Sequence, residues 1–144
     1  MESKKFTSLN GWFTLMLPRD WEEYDDEDEG THPFFNTRTW TGNLRITALR
    51  NSNPESDMNA DLLRSTLAKN KGAKQTDLGQ FKAVSYKEDI KQDDKEMIMY
   101  YWVAGKMNTA FLCSFTIDKE MDESEQNKKE LELVEKIISS IRIN

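Results

Sequence analysis

The segment MIMYYWVAGKMNTAFLCSFTI, residues 97–117, limits what this chain can fold into more than any other stretch. Two apolar runs meet at a tip holding Gly105 and Asn108. In the second run Phe111, Cys113, Phe115 and Ile117 share one side, while Ala110, Leu112 and Ser114 share the other. A period of two residues is that of a β-strand, whose successive side chains point to opposite faces. The first run is apolar on both sides, so its strand is expected inside a sheet covered on both faces along at least part of its length.

The flanking sequence supplies partners for this hairpin. WFTLML, residues 12–17, ends at Pro18, which fixes φ and lacks a donor, and reads as a strand entering a turn. Residues 32–40 and 43–50 flank Thr41-Gly42 and read as a second hairpin, with Leu44, Ile46 and Ala48 on one side of its second arm. Asn53-Pro54-Glu55 resembles a helix start, and Met58, Leu62, Leu63 and Leu67 follow on one helical face up to Gly72. Residues 74–91 read as two short strands around Gly79, before the polar tip QDDKE. From Asp122, with Glu125 three residues on, a last helix carries Leu131, Val134, Ile138 and Ile141. Strands, helix, strands, helix, joined by short connections, predict one α+β domain over residues 1–144. Its antiparallel sheet has about six or seven strands, with two main helices packed against it.

Charge is concentrated in one place. EEYDDEDEG, residues 22–30, holds seven carboxylates, and without them the net charge of −6 becomes a near balance of 19 acids against 20 bases. Phosphate backbones are held by clustered Lys and Arg, and no basic stripe exists here, so nucleic acid is an unsuitable partner. No apolar leader follows the first residues and no window reaches the ~18 apolar residues of a membrane span. With a single cysteine, Cys113, the expected compartment is the reducing cytoplasm.

Catalytic and metal signatures are weak. A calcium loop begun at Asp25 would need a bidentate Glu at its twelfth position, which is Asn36. Cys113 and His32 are single representatives of their types and nothing in their spacing brings them together, so neither a nucleophilic pair nor a zinc site is expected. Cys113 alternates with Phe111 and Phe115 and reads as a small buried hydrophobe. Asp20 and Glu22 could be drawn as a hydrolytic pair, but so could many others among 26 acids. Glycine-rich phosphate loops, zinc-protease and serine-hydrolase motifs are absent. A non-enzymatic protein without cofactor or metal is the expectation.

Seven aromatic residues bracket the acidic run: Trp12, Phe13, Trp21, Tyr24, Phe34, Phe35 and Trp40. Rings beside charge suit a docking surface, since Trp and Tyr dominate binding hot spots. The expected partner-binding set is Trp21, Glu22, Glu23, Tyr24, Asp25, Asp26, Glu27, Asp28, Glu29, Phe34 and Phe35, facing a basic protein surface. Within it Trp21 and Tyr24, closest to the acids, are expected to meet solvent. Two competing readings stand beside this one: the rings form a second core cluster over one end of the sheet, and the charged run is a solvated loop. A different class of function is a carrier of a small apolar ligand, with a pocket between sheet and helix lined by rings from residues 97–117.

Three segments, FTLMLPRDW (13–21), YYWVAGKMNTAFLCSFTI (100–117) and ELELVEKIISSIRI (130–143), resemble the PsbP-like fold of photosystem extrinsic proteins, a nuclear Ran-binding factor and several small bacterial families. The resemblance implies an antiparallel sheet between helices, an α/β/α sandwich, and a non-enzymatic role. It assigns no function to individual residues, and the acidic insert at 22–29 departs from its pattern. The chain is also broadly similar to small acidic, cysteine-poor bacterial proteins, among which are immunity proteins that neutralise cognate toxins.

Overall fold

The computed structural model of the chain describes residues 2–24 and 30–144. Its main element is a seven-stranded antiparallel sheet in the order β3-β4-β5-β9-β8-β7-β6. These strands are β3 (Trp21–Glu23), β4 (Thr31–Asn36), β5 (Gly42–Arg50), β6 (Lys74–Leu78), β7 (Phe81–Gln92), β8 (Lys95–Lys106) and β9 (Thr109–Asp118). A smaller sheet pairs β1 (Ser3–Thr7) and β10 (Arg142–Ile143) with the two edges of β2 (Phe13–Pro18). Two helices, α1 (Met58–Lys69) and α2 (Glu125–Ser139), complete the domain.

The hairpin β8–β9 lies where its sequence puts it, inside the sheet with β7 and β5 on its flanks. Phe111, Cys113, Phe115 and Ile117 face Ala104, Trp102, Tyr100 and Ile98 across the ladder. This side of the sheet packs on Val134, Ile137 and Ile138 of α2 and on Phe13, Leu15 and Leu17 of β2 in one cluster. Each such fully buried side chain contributes roughly 1.5–3 kcal/mol, and this layer is the core.

The opposite side of the sheet is covered only in part. α1 packs across β7, β8 and β9, where Val84, Val103 and Ala110, which alternate with the core-facing residues, are buried. Beyond that patch Tyr86, Tyr101 and Leu112 stay partly or well exposed. Double cover along part of β8 is what its two apolar faces implied. The arrangement is thus a sheet between two helices, with one helix much more deeply seated than the other. Asn59 is the buried residue of α1.

Some boundaries differ from the sequence reading. α1 starts at Met58, not near Pro54, because the Asp57 carboxylate accepts the Ala60 N–H at 3.1 Å and so caps the helix. α2 is capped by Ser124, whose Oγ accepts from the Asn127 N–H at 3.1 Å; Asp122 instead ends a 3-10 turn at Lys119–Met121. The same helix stops at Ser139 and does not run on to Ile143. Ser140 turns its hydroxyl to the Ile137 carbonyl and accepts the Met16 N–H, and Arg142–Ile143 then joins β2. The two strands expected over 74–91 around Gly79 are β6 and β7, and the polar tip QDDKE closes the β7–β8 hairpin, with Asp93 and Asp94 both at positive φ, the geometry of a two-residue primed turn.

Candidate functional site

Register decides which side each candidate residue takes. Trp21 pairs with Asn36, Glu22 with Phe35 and Glu23 with Phe34. Side chains alternate, so Trp21, Glu23 and Phe34 turn towards the α2 side, and Glu22 and Phe35 towards the open side. Trp21 and Phe34 are 1% and 0% exposed, which corrects the expectation that Trp21 meets solvent and removes both rings from any docking surface. They are core because their strand positions match the buried face of β5. Glu23 is tied to His32, whose Nδ1 lies 2.8 Å from its Oε2. Asp25, Asp26, Glu27, Asp28 and Glu29 lie outside the described residues.

Tyr24, Phe35 and Trp40 form a continuous row of rings on the open side. Tyr24 meets Phe35 edge-on at 5.6 Å, and Phe35 meets Trp40 at 4.9 Å with the planes tilted by 43°. Glu22, exposed, stands across the ladder from Phe35, within reach of its ring as cross-strand partners are. Trp40 is 63% exposed although it is the bulkiest residue of its turn.

That turn is built to hold Trp40 still. The Asn36 carbonyl accepts the Trp40 N–H at 2.8 Å, and the Asn36 side chain accepts from Arg38 N–H at 3.0 Å. The indole N–H donates to Asn43 Oδ1 at 3.0 Å. Beneath it, the Glu130 carboxylate of α2, only 3% exposed, accepts from Thr39 Oγ1 at 2.7 Å and Asn36 Nδ2 at 3.3 Å. Trp40 itself sits at φ 42°, a left-handed conformation that costs a bulky side chain on the order of 1–2 kcal/mol. Sequence reasoning left Trp40 out of the binding set. Its signal was present in TRTWTG, residues 37–42, a polar turn where a large ring follows no core-facing period.

Further along the same face a groove of about 320 Å³ runs over Thr31, Arg45, Thr47, Tyr101, Leu112 and Ser114. Tyr86 and Tyr101 stack beside it at 4.6 Å. A second groove, about 350 Å³, opens on the other side of the sheet between Leu131 and Glu135 of α2 and Lys87, Tyr100 and Trp102. Around it the Tyr100 hydroxyl donates to Asp122, accepts from Asn127 Nδ2 at 3.0 Å, and Lys87 Nζ donates to Asp122 at 3.2 Å.

Cys113 and His32 do not meet. Both belong to one cross-strand row, with Ile46 of β5 between them, so about two strand spacings, roughly 10 Å, separate their backbones. Burial pushes the Cys113 thiol far above its ordinary range, which suppresses the thiolate. Among the described residues no group of three His, Cys, Asp or Glu side chains is placed to hold a metal ion. No helix of the described residues is long and apolar enough to cross a membrane.

A family model covers residues 1–144 of this chain and is described as a domain of unknown function, DUF3805. The chain belongs to the DUF3805 family. A crystal structure from Bacteroides thetaiotaomicron VPI-5482 at 1.50 Å resolution is similar with a TM-score of 0.81 and 30% identity. It is matched over 100% of this chain and 49% of its own, so the DUF3805 chain spans about half that length. LpqN, described as involved in cell envelope biogenesis of Mycobacterium tuberculosis, shares the fold at a TM-score of 0.54 and 11% identity, over 99% of this chain and 91% of its own. The solution structure of cyanobacterial PsbP from Synechocystis sp. PCC 6803 aligns at 0.44 and 9% identity, over 99% and 92%. No curated protein matches the sequence. The antiparallel sheet between helices that the resemblance implied is the architecture of this DUF3805 chain.

Proposed function

We propose that this DUF3805 domain is a non-enzymatic binding module that engages a basic protein surface through the acidic tract 22–29 and the rings beside it. The observation that carries the reading is the row Tyr24, Phe35 and Trp40, presented on the uncovered side of the sheet and joined in the chain to seven carboxylates. Carboxylates steer a basic partner from a distance, and fixed rings supply short-range contact area once it arrives. Neutralising a basic toxin by covering it, as immunity proteins do, is one form such a role takes.

The test is association kinetics with a synthetic Arg-rich peptide as a model basic surface. Replacing Asp25, Asp26, Glu27 and Asp28 together by Lys is expected to slow association at least tenfold at low salt, to flatten its salt dependence, and to leave the melting temperature nearly unchanged. An unaltered association rate removes the tract from the mechanism. The groove beside Tyr100, Trp102 and Leu131 favours a second reading, carriage of a small apolar ligand. A thermal shift with a fatty acid or similar probe, insensitive to those four reversals, supports that alternative.

A further inference from the structure

We infer that Trp40, Phe35 and Tyr24, with the Glu22 carboxylate, form a receptor for one arginine side chain of the basic partner; this rests on the binding role proposed above and names the group its aromatic row takes. Three features of the row converge on a planar cation.

The first is the exposed Trp40 ring. A solvated indole face costs free energy unless something covers it, and this one is fixed in place. Its backbone is strained at φ 42°, its N–H is tied to Asn43 Oδ1, and its turn is anchored from below by Glu130. A ring whose freedom is already lost pays little more entropy on binding. The second is its chemistry. Indole is the strongest of the aromatic cation acceptors, and its negative π-face attracts a guanidinium or ammonium within about 6 Å of the ring centre. Glu22, on the same side and opposite Phe35, supplies the carboxylate that completes a cation site. Guanidinium suits both groups at once: its flat face stacks on a ring while its edge forms paired hydrogen bonds to a carboxylate.

The third feature is local charge. Arg38, two residues from Trp40, pairs with Asp20 at 3.7 Å, and Arg45, farther along the same face, is itself engaged. The base nearest Trp40 is thus partly compensated, whereas the chain leading out of β3 is dominated by acids. An incoming cation meets a field of favourable sign.

The experiment titrates the protein with a capped tetra-arginine peptide and with its tetra-citrulline counterpart, which keeps the planar side chain and lacks the charge. The indole N–H signal of Trp40, assigned by its loss in Trp40→Leu, is followed by NMR. Arginine is expected to shift that signal and citrulline to leave it in place. Trp40→Leu should weaken the arginine peptide about threefold to tenfold, Trp40→Phe should weaken it much less, and Glu22→Gln should fall between. At a position 63% exposed these variants keep the fold, which the dispersion of the remaining amide signals checks. Equal affinity of wild type and Trp40→Leu, or equal binding of the citrulline peptide, overturns the receptor. If binding is then still lost on reversing residues 25–28, the wider role survives and the arginine site alone fails. If that reversal too has no effect, both fail.

Discussion

Tyr100 and Asp122 show how one contact sets two titrations in opposite directions. Burial, and then the hydrogen bond to Asp122, push the Tyr100 hydroxyl up to about 12. The same bond, more than the contacts with Lys87, holds the Asp122 carboxyl below its ordinary range. A carboxylate with a depressed pKa contributes stability above its unfolded pKa and loses it as pH falls through the folded value. A phenol with a raised pKa contributes stability below its unfolded pKa, near 10, and loses it as pH rises towards about 12. Tyr100→Phe should therefore cost roughly 1–2 kcal/mol at neutral pH, since Asn127 Nδ2 and Asp122 each lose a partner. The deficit relative to wild type should shrink below about pH 4 and again in strong alkali. Urea midpoints of both proteins at acid, neutral and alkaline pH measure this, and a deficit independent of pH would show that the two groups are not coupled.

At the scale of elements, the turn at residues 37–41 is where the buried and open sides of the domain communicate. α2 lies on one side of the sheet, yet Glu130 holds Thr39 and Asn36, and Gln126 Nε2 donates to Thr41 Oγ1 at 2.8 Å. Trp40 emerges from that turn towards the other side. Glu130→Ala should leave the buried Asn36 amide without its acceptor and free the exposed Thr39 hydroxyl to water, and cost about 1–2 kcal/mol. It should also broaden or move the Trp40 indole signal while the Tyr86–Tyr101 stack stays unperturbed; an unmoved indole would show that the turn holds itself without α2. This connection was not legible in the sequence, because Glu130 occupies the helix among other acids and nothing local marks it as buried. What was legible followed short periods. The strands β5, β8 and β9 and the stripe on α2 carry apolar residues at spacings that identify the element, whereas the arm expected over 32–40 stops at Asn36, where the turn that holds Trp40 begins. The strand β1 was missed because SKKFT is charged and largely exposed, with no alternation to read. The end of α2 was misplaced because Ile141 continues the helical stripe even though its backbone has left the helix. Two of the four rings in the expected binding set fall on the buried side for a related reason: composition placed rings near acids, but only strand register distinguishes Trp21 and Phe34 from Tyr24 and Phe35.

Across the whole molecule, the two sheets act as one unit because their side chains enter one cluster and their strands come from both ends of the described chain. β2 lies between β1 and β10, and Arg50 of β5 fastens this small sheet to the large one. Its guanidinium lies 4.7 Å over the Trp12 ring, with donors to the carbonyls of Trp12 and Asn144 and to Thr109 Oγ1. Ile141 is 1% exposed in the shared core, its carbonyl accepts from Gln80, and Asn144 donates to the carbonyls of Trp12 and Gly11. Removing residues 141–144 deletes one strand of the small sheet, one core side chain and several of these bonds. A buried Ile reduced to nothing costs about 2–5 kcal/mol by itself, and each lost hydrogen bond adds about 1 kcal/mol. The sum is a large part of the 5–15 kcal/mol that holds a domain of ordinary size. Two outcomes are distinguishable in a urea titration followed both by near-UV circular dichroism and by amide signals from each sheet. If the small sheet were an independent appendage, β1 and β2 would lose structure first and the β5–β9–β8–β7 ladder would keep its own midpoint. Because Phe13, Leu15 and Leu17 pack directly with Phe111 and the α2 isoleucines, the expected outcome is a single transition, shifted to much lower urea, in which both sheets are lost together.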